Sequence, residues 1–175
     1  MFLLNCFYKQ HLARSLLLAG AITSGKVLAV DKPPPAPNGI ERPEAYQDWR
    51  VIGVSHRTDK NSLRIIVGND AAIQAARAGK TNPWPDGAIL GKLVWEDRVH
   101  ENWAAATVPG KLVHTEFMVR DAKKFADTKG WGFARWLGDE QKPYGKDASF
   151  ANECAECHTA AKDTDHVFTR PVTLP

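Results

Sequence analysis

The segment Cys154-Ala155-Glu156-Cys157-His158 carries the clearest chemical signal in this chain. A C-x-x-C-H sequence is the kind that attaches c-type haem. Two residues between the thiols let one turn of backbone bring both sulfur atoms to the two vinyl groups of the porphyrin, where they form thioethers. The adjacent histidine then ligates the iron from the proximal side. The motif therefore predicts one covalent haem per chain, held by Cys154, Cys157 and His158.

Three other uses of these cysteines are weaker. A Cys2His2 zinc site with His158 and His166 has its second histidine outside the usual spacing. A thioredoxin-like redox pair lacks a βαβ pattern around it. A structural disulfide between cysteines three residues apart would be strained.

The sixth coordination position of such a haem has no obvious protein ligand. The motif lies near the C-terminal end of the sequence, and no methionine follows it. Met118 precedes it on a predicted strand, where core packing is its expected role. We therefore expect an open distal site that binds small diatomic or nitrogenous ligands. The alternative, a simple electron carrier, requires a sixth ligand.

The first 29 residues have the layout of a secretory signal. Lys9, Arg14 and Lys26 are their only charged residues, an apolar run covers 16–22, and Ala29 offers a small residue for cleavage. The run is too short to span a bilayer, which needs about 20 residues. We expect export to the periplasm, with a proline-rich tether without a buried role over 30–39 and the haem domain over 40–175.

Composition limits the other possibilities. The chain has 175 residues, 43% of them hydrophobic and 25% charged, which is typical of one soluble globular domain. Its formal charge of +3 equals the charge of the three basic residues before Ala29, so the mature domain is neutral. A neutral domain has no concentrated basic face for nucleic acid.

The pattern of apolar and turn residues predicts about five strands with short helices between them. The expected strands cover 51–54, 62–67, 88–96, 111–119 and 131–136. The expected helices cover 71–78, 121–128 and 151–157, with one short helix carrying Tyr46 and Trp49. Asp97 to Gly110 reads as a polar loop, and so does Leu137 to Phe150. This arrangement predicts an α+β fold around a mostly antiparallel sheet.

Three charged residues fall among hydrophobic neighbours on these strands. Alternation places Lys92 with Leu90 and Val94, and a lysine there either loses hydration and becomes a nucleophilic amine or extends its ammonium to water from a sheet rim. Glu116 shares a face with His114 and Met118, and Arg64 shares one with Ile66. Such an arginine and glutamate most often form a salt bridge. In a haem pocket they could also anchor a propionate or take protons from a substrate.

Several sequence blocks together resemble the cytochrome P-460 family, which also contains the cytochromes c′-beta. The likeness extends from about Pro43 to Pro171. The blocks are Pro43-x-x-Tyr46-x-x-Trp49, Pro85-Asp86-Gly87 with Lys92 following, Glu116 ahead of Val119-Arg120-Asp121, Gly130-Trp131-Gly132-Phe133, and the haem motif with Asp165-His166-Val167-Phe168-Thr169-Arg170 behind it.

The resemblance implies a homodimeric, mostly antiparallel β fold with five-coordinate c-type haem. In the hydroxylamine-oxidising members a lysine is joined covalently to the porphyrin, and Lys92 matches that position. Arg64 falls where those members have a pocket arginine, and Glu116 where they have a carboxylate that relays protons. The implied activity is oxidation of hydroxylamine to nitrous oxide or nitrite, with a cytochrome as redox partner.

The cytochromes c′-beta offer the alternative function. They share the fold but have an apolar distal pocket capped by phenylalanine, and they bind nitric oxide without oxidising hydroxylamine. Phe117, Phe133 and Trp131 are candidate capping residues here, although each is also a candidate core residue. Lys92, Arg64 and Glu116 together favour the hydroxylamine oxidoreductase.

Overall fold

A computed structural model describes residues 32–172 of the chain. Its centre is one antiparallel sheet of six strands, in which the spatial order follows the chain order. The strands are β1 (Arg50–Arg57), β2 (Ser62–Gly68), β3 (Ile89–His100), β4 (Trp103–Arg120), β5 (Trp131–Leu137) and β6 (Lys142–Pro143), and the α-helices are α1 (Asp70–Arg77) and α2 (Phe150–His158). The predicted α+β class is confirmed, with six strands where about five were expected.

Both faces of the sheet are covered. On one face, which we call the helix face, residues of α1 and α2 pack with Ile66, Leu90 and Phe133. On the other face, Phe117 and Trp136 pack among residues that precede β1 or follow β5. Met118 packs against the core of the helix face, as its predicted packing role requires.

Local chemistry explains how β3 begins beside α1. The Asn69 side chain accepts a hydrogen bond from the Ala72 amide, which makes it the N-cap of α1. The same oxygen accepts from the Ile89 amide at 3.0 Å, and the Asn69 amide group donates to the Gly87 carbonyl at 2.8 Å. One capping side chain therefore anchors the start of the strand that carries Lys92.

The prediction of a polar loop from Asp97 to Gly110 is wrong. β3 and β4 continue as a hairpin beyond the hydrophobic core, with Asp97 opposite Pro109 and the turn at Glu101 and Asn102. Cross-strand hydrogen bonds hold this extension although both of its faces meet water, so no alternation of apolar residues marks it. Pro109 is tolerated because the register is irregular near it, as is usual for proline in strands.

The proline-rich segment is also not a free tether in its described part. Ala36 is buried, the Trp136 Nε1 group donates to the Pro34 carbonyl at 2.9 Å, and Asn38 donates to the Phe133 carbonyl at 2.8 Å. A segment without side-chain alternation can still bury single residues and satisfy buried donors through its carbonyls. Residues 32–39 therefore belong to the packed domain.

Smaller predictions have mixed outcomes. α2 matches the expected helix over 151–157, and α1 matches the one over 71–78. The helix expected over 121–128 is a turn followed by a 3-10 turn at Ala126–Thr128, and Tyr46–Asp48 is likewise a 3-10 turn. The signal-like segment lies outside the described residues. Among residues 32–172, no helix has the length and apolar character needed to cross a membrane.

Candidate functional site

Helix α2 presents the two thiols and the histidine of the C-x-x-C-H motif. Cys154 and Cys157 are three residues apart on a helix and therefore lie on one side of it. Both are free thiols, the first half-buried and the second exposed, so the disulfide alternative is not realised. Burial raises the pKa of the Cys154 thiol. Within residues 32–172, no group of three or more His, Cys, Asp or Glu side chains could hold a metal ion, which leaves the zinc alternative without support.

The His158 ring is held in one orientation. Its Nδ1 lies 2.7 Å from the His166 carbonyl oxygen. A carbonyl only accepts, so Nδ1 must carry the proton, and Nε2 keeps its lone pair for a metal. Burial lowers the pKa of His158, which favours this neutral form. The ring packs against Phe133 and Phe168, at centroid distances of 5.2 and 5.1 Å.

Three charged side chains form a row across the helix face, which we call the charged row. Lys92, Glu116 and Arg135 occupy directly opposed positions on β3, β4 and β5. Lys92 Nζ forms an ion pair with Glu116 Oε2, and Arg135 Nε lies 2.5 Å from Glu116 Oε1. Glu116 is the most enclosed of the three, with its side chain 14% exposed. Antiparallel register, rather than proximity along the chain, brings these three residues together.

Two cations surround the carboxylate of Glu116 and decide its charge. Burial by itself raises the pKa of Glu116, but the charges of Lys92 and Arg135 outweigh it and lower that pKa to about 2. His114 Nε2 is 3.4 Å from the same carboxylate, and burial lowers the pKa of His114 to about 4. At neutral pH Glu116 is therefore ionised, while His114 is neutral.

The charged row faces the haem-binding motif. The charges of Arg135, Glu116 and Lys92 all act on the pKa of Cys154. Those of Lys92 and Glu116 also act on the pKa of His158. Helix α2 packs against β5, which carries Arg135. The structure thus brings together the motif and two of the predicted site residues, Lys92 and Glu116.

Arg64 lies near this row without joining it. Burial lowers the pKa of Arg64, and the charge of Glu116 opposes that change. Its Nε is buried and has no hydrogen-bond partner. Arg135 Nε and Glu116 Oε1 are paired with each other by charge, although their close contact lacks hydrogen-bond geometry. Buried polar atoms are rarely left unpaired, so Arg64 Nε points to a polar group that completes the site.

Arg135 is the site residue that sequence reasoning missed. The expected salt bridge between an arginine and Glu116 exists, but its arginine is Arg135 and not Arg64, since β3 separates β2 from β4. Alternation along β5 places Arg135 on the same face as Trp131 and Phe133, and this signal was present in the sequence.

Lys92 matches neither sequence interpretation in full. Its side chain is 31% exposed, and its amino group is bound in the ion pair with Glu116. It is therefore neither a neutral amine among hydrophobic residues nor a lysine extended into water.

The three candidate capping residues do not cap the charged row. Phe117 points to the opposite face of the sheet, where it packs against Tyr46 and Trp136. Phe133 packs against His158, and Trp131 is fully buried with its Nε1 bonded to the Asp165 carbonyl. All three belong to the core or to the surroundings of His158.

The lowered pKa of His114 predicts acid sensitivity. An unperturbed histidine has a pKa of about 6.5, and burial in the folded chain lowers the pKa of His114 to about 4. Between these values the unfolded chain binds a proton that the folded chain does not bind, so the free energy of unfolding falls as pH decreases through this window. Between about pH 7 and pH 5, His114 should account for a fall of about 2 kcal/mol in the free energy of unfolding. His114→Leu should remove this part of the fall, as measured by urea unfolding.

His100 supplies the control for this experiment. It lies at the hairpin turn, where its Nδ1 accepts a hydrogen bond from the Asn102 amide. The variant His100→Asn gives the change in pH dependence that follows from loss of a histidine outside the charged row, and the change in His114→Leu should exceed it. A His114→Leu protein with the full wild-type dependence would contradict the prediction.

The described residues suit a haem group. They supply two free thiols on one helix turn, an imidazole with Nε2 available, and a buried guanidinium nitrogen without a hydrogen-bond partner, Arg64 Nε. Comparison with protein families gives a match to the family described as Cytochrome P460, over residues 43–169. No curated protein matches the sequence.

Proposed function

Since the chain belongs to the cytochrome P460 family and is thus a c-type haem protein, we propose that it is a periplasmic mono-haem cytochrome that oxidises hydroxylamine. The product is nitrous oxide or nitrite, and the electrons pass to a cytochrome partner. The observation that carries the proposal is the charged row of Lys92, Glu116 and Arg135, which faces the haem-binding motif.

The haem-binding residues have separate roles. Cys154 and Cys157 would form the thioethers, and His158 would ligate the iron through Nε2, the nitrogen that its Nδ1 contact with the His166 carbonyl leaves available. When bound, the haem supplies an iron centre that binds the nitrogenous substrate and takes up its electrons. The protein must handle the remaining part of the reaction, which is the release of protons.

Glu116 is the group that takes these protons. It is ionised at neutral pH and can therefore accept a proton, and its side chain is enclosed. A carboxylate with a pKa of about 2 is nevertheless a weak base, because general bases work best with a pKa close to the working pH. Burial alone would raise the pKa of Glu116, and the charge of Lys92 is the largest of the causes that lower it. Joining the Lys92 nitrogen to the porphyrin would remove its charge and raise the pKa of Glu116.

The cross-link has its own measurement. Coupling replaces an N–H and a C–H bond by a C–N bond and is an oxidation, so it consumes an external oxidant such as hydrogen peroxide. We expect a digest of the mature protein to contain one haem peptide that includes Cys154, Cys157 and Lys92, detected by mass spectrometry. Lys92→Arg keeps the cation beside Glu116 but lacks the primary amine, and its haem peptide should carry the two cysteines alone. Two separate peptides from the unaltered protein would contradict the cross-link.

The activity itself is tested by adding hydroxylamine to the ferric protein with an electron-accepting dye. Dye reduction that depends on hydroxylamine is the expected result. Tight binding of nitric oxide without dye reduction would overturn the proposal and favour the nitric oxide-binding alternative. The charged row argues against that alternative, because an apolar pocket would not contain Lys92, Glu116 and Arg135. A low-spin six-coordinate spectrum would instead indicate a simple electron carrier.

Export and assembly complete the proposal. Residues 1–29 direct the chain to the periplasm, and the mature protein forms a homodimer. Cell fractionation identifies the compartment. N-terminal sequencing of the purified protein tests cleavage after Ala29, and light scattering measures its mass in solution. A cytoplasmic protein that retains Lys9 and Arg14 would contradict the export step.

A further inference from the structure

The chain beyond α2 turns back over His158 through two residues in an unusual conformation. After the 3-10 segment Thr159–Thr164, Asp165 and His166 have φ values of 51° and 62°. Non-glycine residues seldom adopt positive φ, and each such residue costs free energy that its surroundings must offset. This two-residue turn directs the His166 carbonyl oxygen to His158 Nδ1, at 2.7 Å.

Asp165 is the residue that fixes the turn. Its Oδ2 accepts a hydrogen bond from the Trp84 amide at 2.8 Å, and its main-chain oxygen accepts one from Trp131 Nε1 at 2.8 Å. Arg120 Nε lies 3.5 Å from Oδ2, and both side chains of this ion pair are only 10% exposed. The carboxylate and the carbonyl of one residue are therefore both bound to neighbouring elements.

Arg120 is in turn held rigidly. Its guanidinium donates to the carbonyl oxygens of Trp84 and Lys129, at 3.2 and 3.1 Å, and lies over the Trp131 ring. Gly130 leaves room for the Arg120 guanidinium, because a Cβ atom at position 130 would stand 1.7 Å from Arg120 Nη1. The cation that faces Asp165 thus has little freedom to move away.

We propose that Asp165 is a positioning residue for the haem ligand: by clamping the turn, it holds the His166 carbonyl against His158 Nδ1 and sets the direction and donor strength of Nε2. The inference is independent of the substrate and holds equally for an enzyme and for a nitric oxide-binding protein. A proximal histidine whose other nitrogen donates a strong hydrogen bond is a better electron donor to iron, which stabilises the ferric state.

The test uses purified holoprotein and two readouts of the iron–histidine bond. For Asp165→Ala we expect the iron–histidine stretching frequency of the ferrous protein, measured by resonance Raman spectroscopy, to move to lower wavenumber. The haem midpoint potential should rise. Trp131→Phe removes the hydrogen bond to the Asp165 carbonyl together with part of the buried ring under Arg120, but leaves the Asp165 carboxylate in place, and should shift both quantities in the same directions by a smaller amount.

A neighbouring carboxylate supplies the matched control. Asp163 is exposed, and only its main-chain oxygen is hydrogen-bonded, to Asn82. Asp163→Ala should leave the frequency and the potential unchanged. If Asp165→Ala does not yield soluble protein, Asp165→Asn keeps an oxygen for the Trp84 amide and loses the charge opposite Arg120. Folded Asp165 and Trp131 variants with the wild-type frequency and potential would overturn the inference.

Discussion

Replacement of Glu116 by glutamine is expected to lower the rate of hydroxylamine oxidation by about 100-fold or more, the usual contribution of a positioned general base. Glutamine has nearly the shape of glutamate but cannot accept a proton from the substrate. The measurement is kcat at neutral pH with saturating dye, together with KM, because loss of a proton acceptor lowers kcat without weakening substrate binding.

The same substitution has a structural consequence that must be separated from the catalytic one. Arg135 would lose the carboxylate that pairs with it. Removing one partner of an enclosed ion pair is destabilising, so the unfolding midpoint should fall as well. Glu96→Gln alters an exposed carboxylate on the same strand as Lys92 and should change neither quantity. A folded Glu116→Gln protein with wild-type kcat would refute the role of Glu116 as the base.

Arg135→Gln separates the role of Glu116 as the base from the effect of the neighbouring cation on its pKa. It leaves the carboxylate of Glu116 in place and removes the Arg135 cation, which lowers the pKa of that carboxylate. Its pKa should therefore rise, and the acidic limb of the pH–rate profile should move to higher pH. The profile of Glu116→Gln should lack that limb.

The second large effect concerns covalent attachment. In a Lys92→Arg chain with alanine at both Cys154 and Cys157, we expect complete loss of haem from the chain after denaturation and extraction with acidified acetone. Each thiol supplies one thioether and Lys92→Arg removes the amine of the proposed cross-link, so this variant has no covalent bond to the porphyrin, whereas each single cysteine variant keeps at least one. The measurement is the haem absorbance that remains with the extracted polypeptide, checked by intact mass.

Ala155→Ser is the control for that experiment. It changes a residue between the two thiols and leaves both sulfur atoms, so its haem should resist extraction as in the unaltered protein. If the variant that lacks both cysteines and the Lys92 amine retained haem after denaturation, a residue other than Cys154, Cys157 and Lys92 would attach it.

Much of the fold follows from local patterns. Alternation located the central parts of β2, β3, β4 and β5, and the pattern of apolar and turn residues located α1. The hairpin beyond Asp97 was missed because its stability comes from backbone pairing between two strands that both meet solvent. The packing of Ala36 was missed because a proline-rich segment carries no periodic pattern that indicates which residue is buried.

The sequence by itself determined that two thiols and an imidazole lie together in the C-x-x-C-H motif of this protein. Cys154, Cys157 and His158 are neighbours along one helical turn, so their relative positions depend on local backbone geometry alone. Only the tertiary structure decided which cation faces Glu116, because strand order and register select Arg135 over Arg64.

The same distinction applies to the proximal side of the haem site. The sequence contains Asp165 and His166, but their contacts run to Trp84, Arg120 and Trp131, all far away along the chain. Spacing fixes distances within a few residues, while contacts across strands depend on how the whole sheet pairs and packs. The residues that orient His158 and those that lower the pKa of Glu116 could therefore be recognised only in the folded structure.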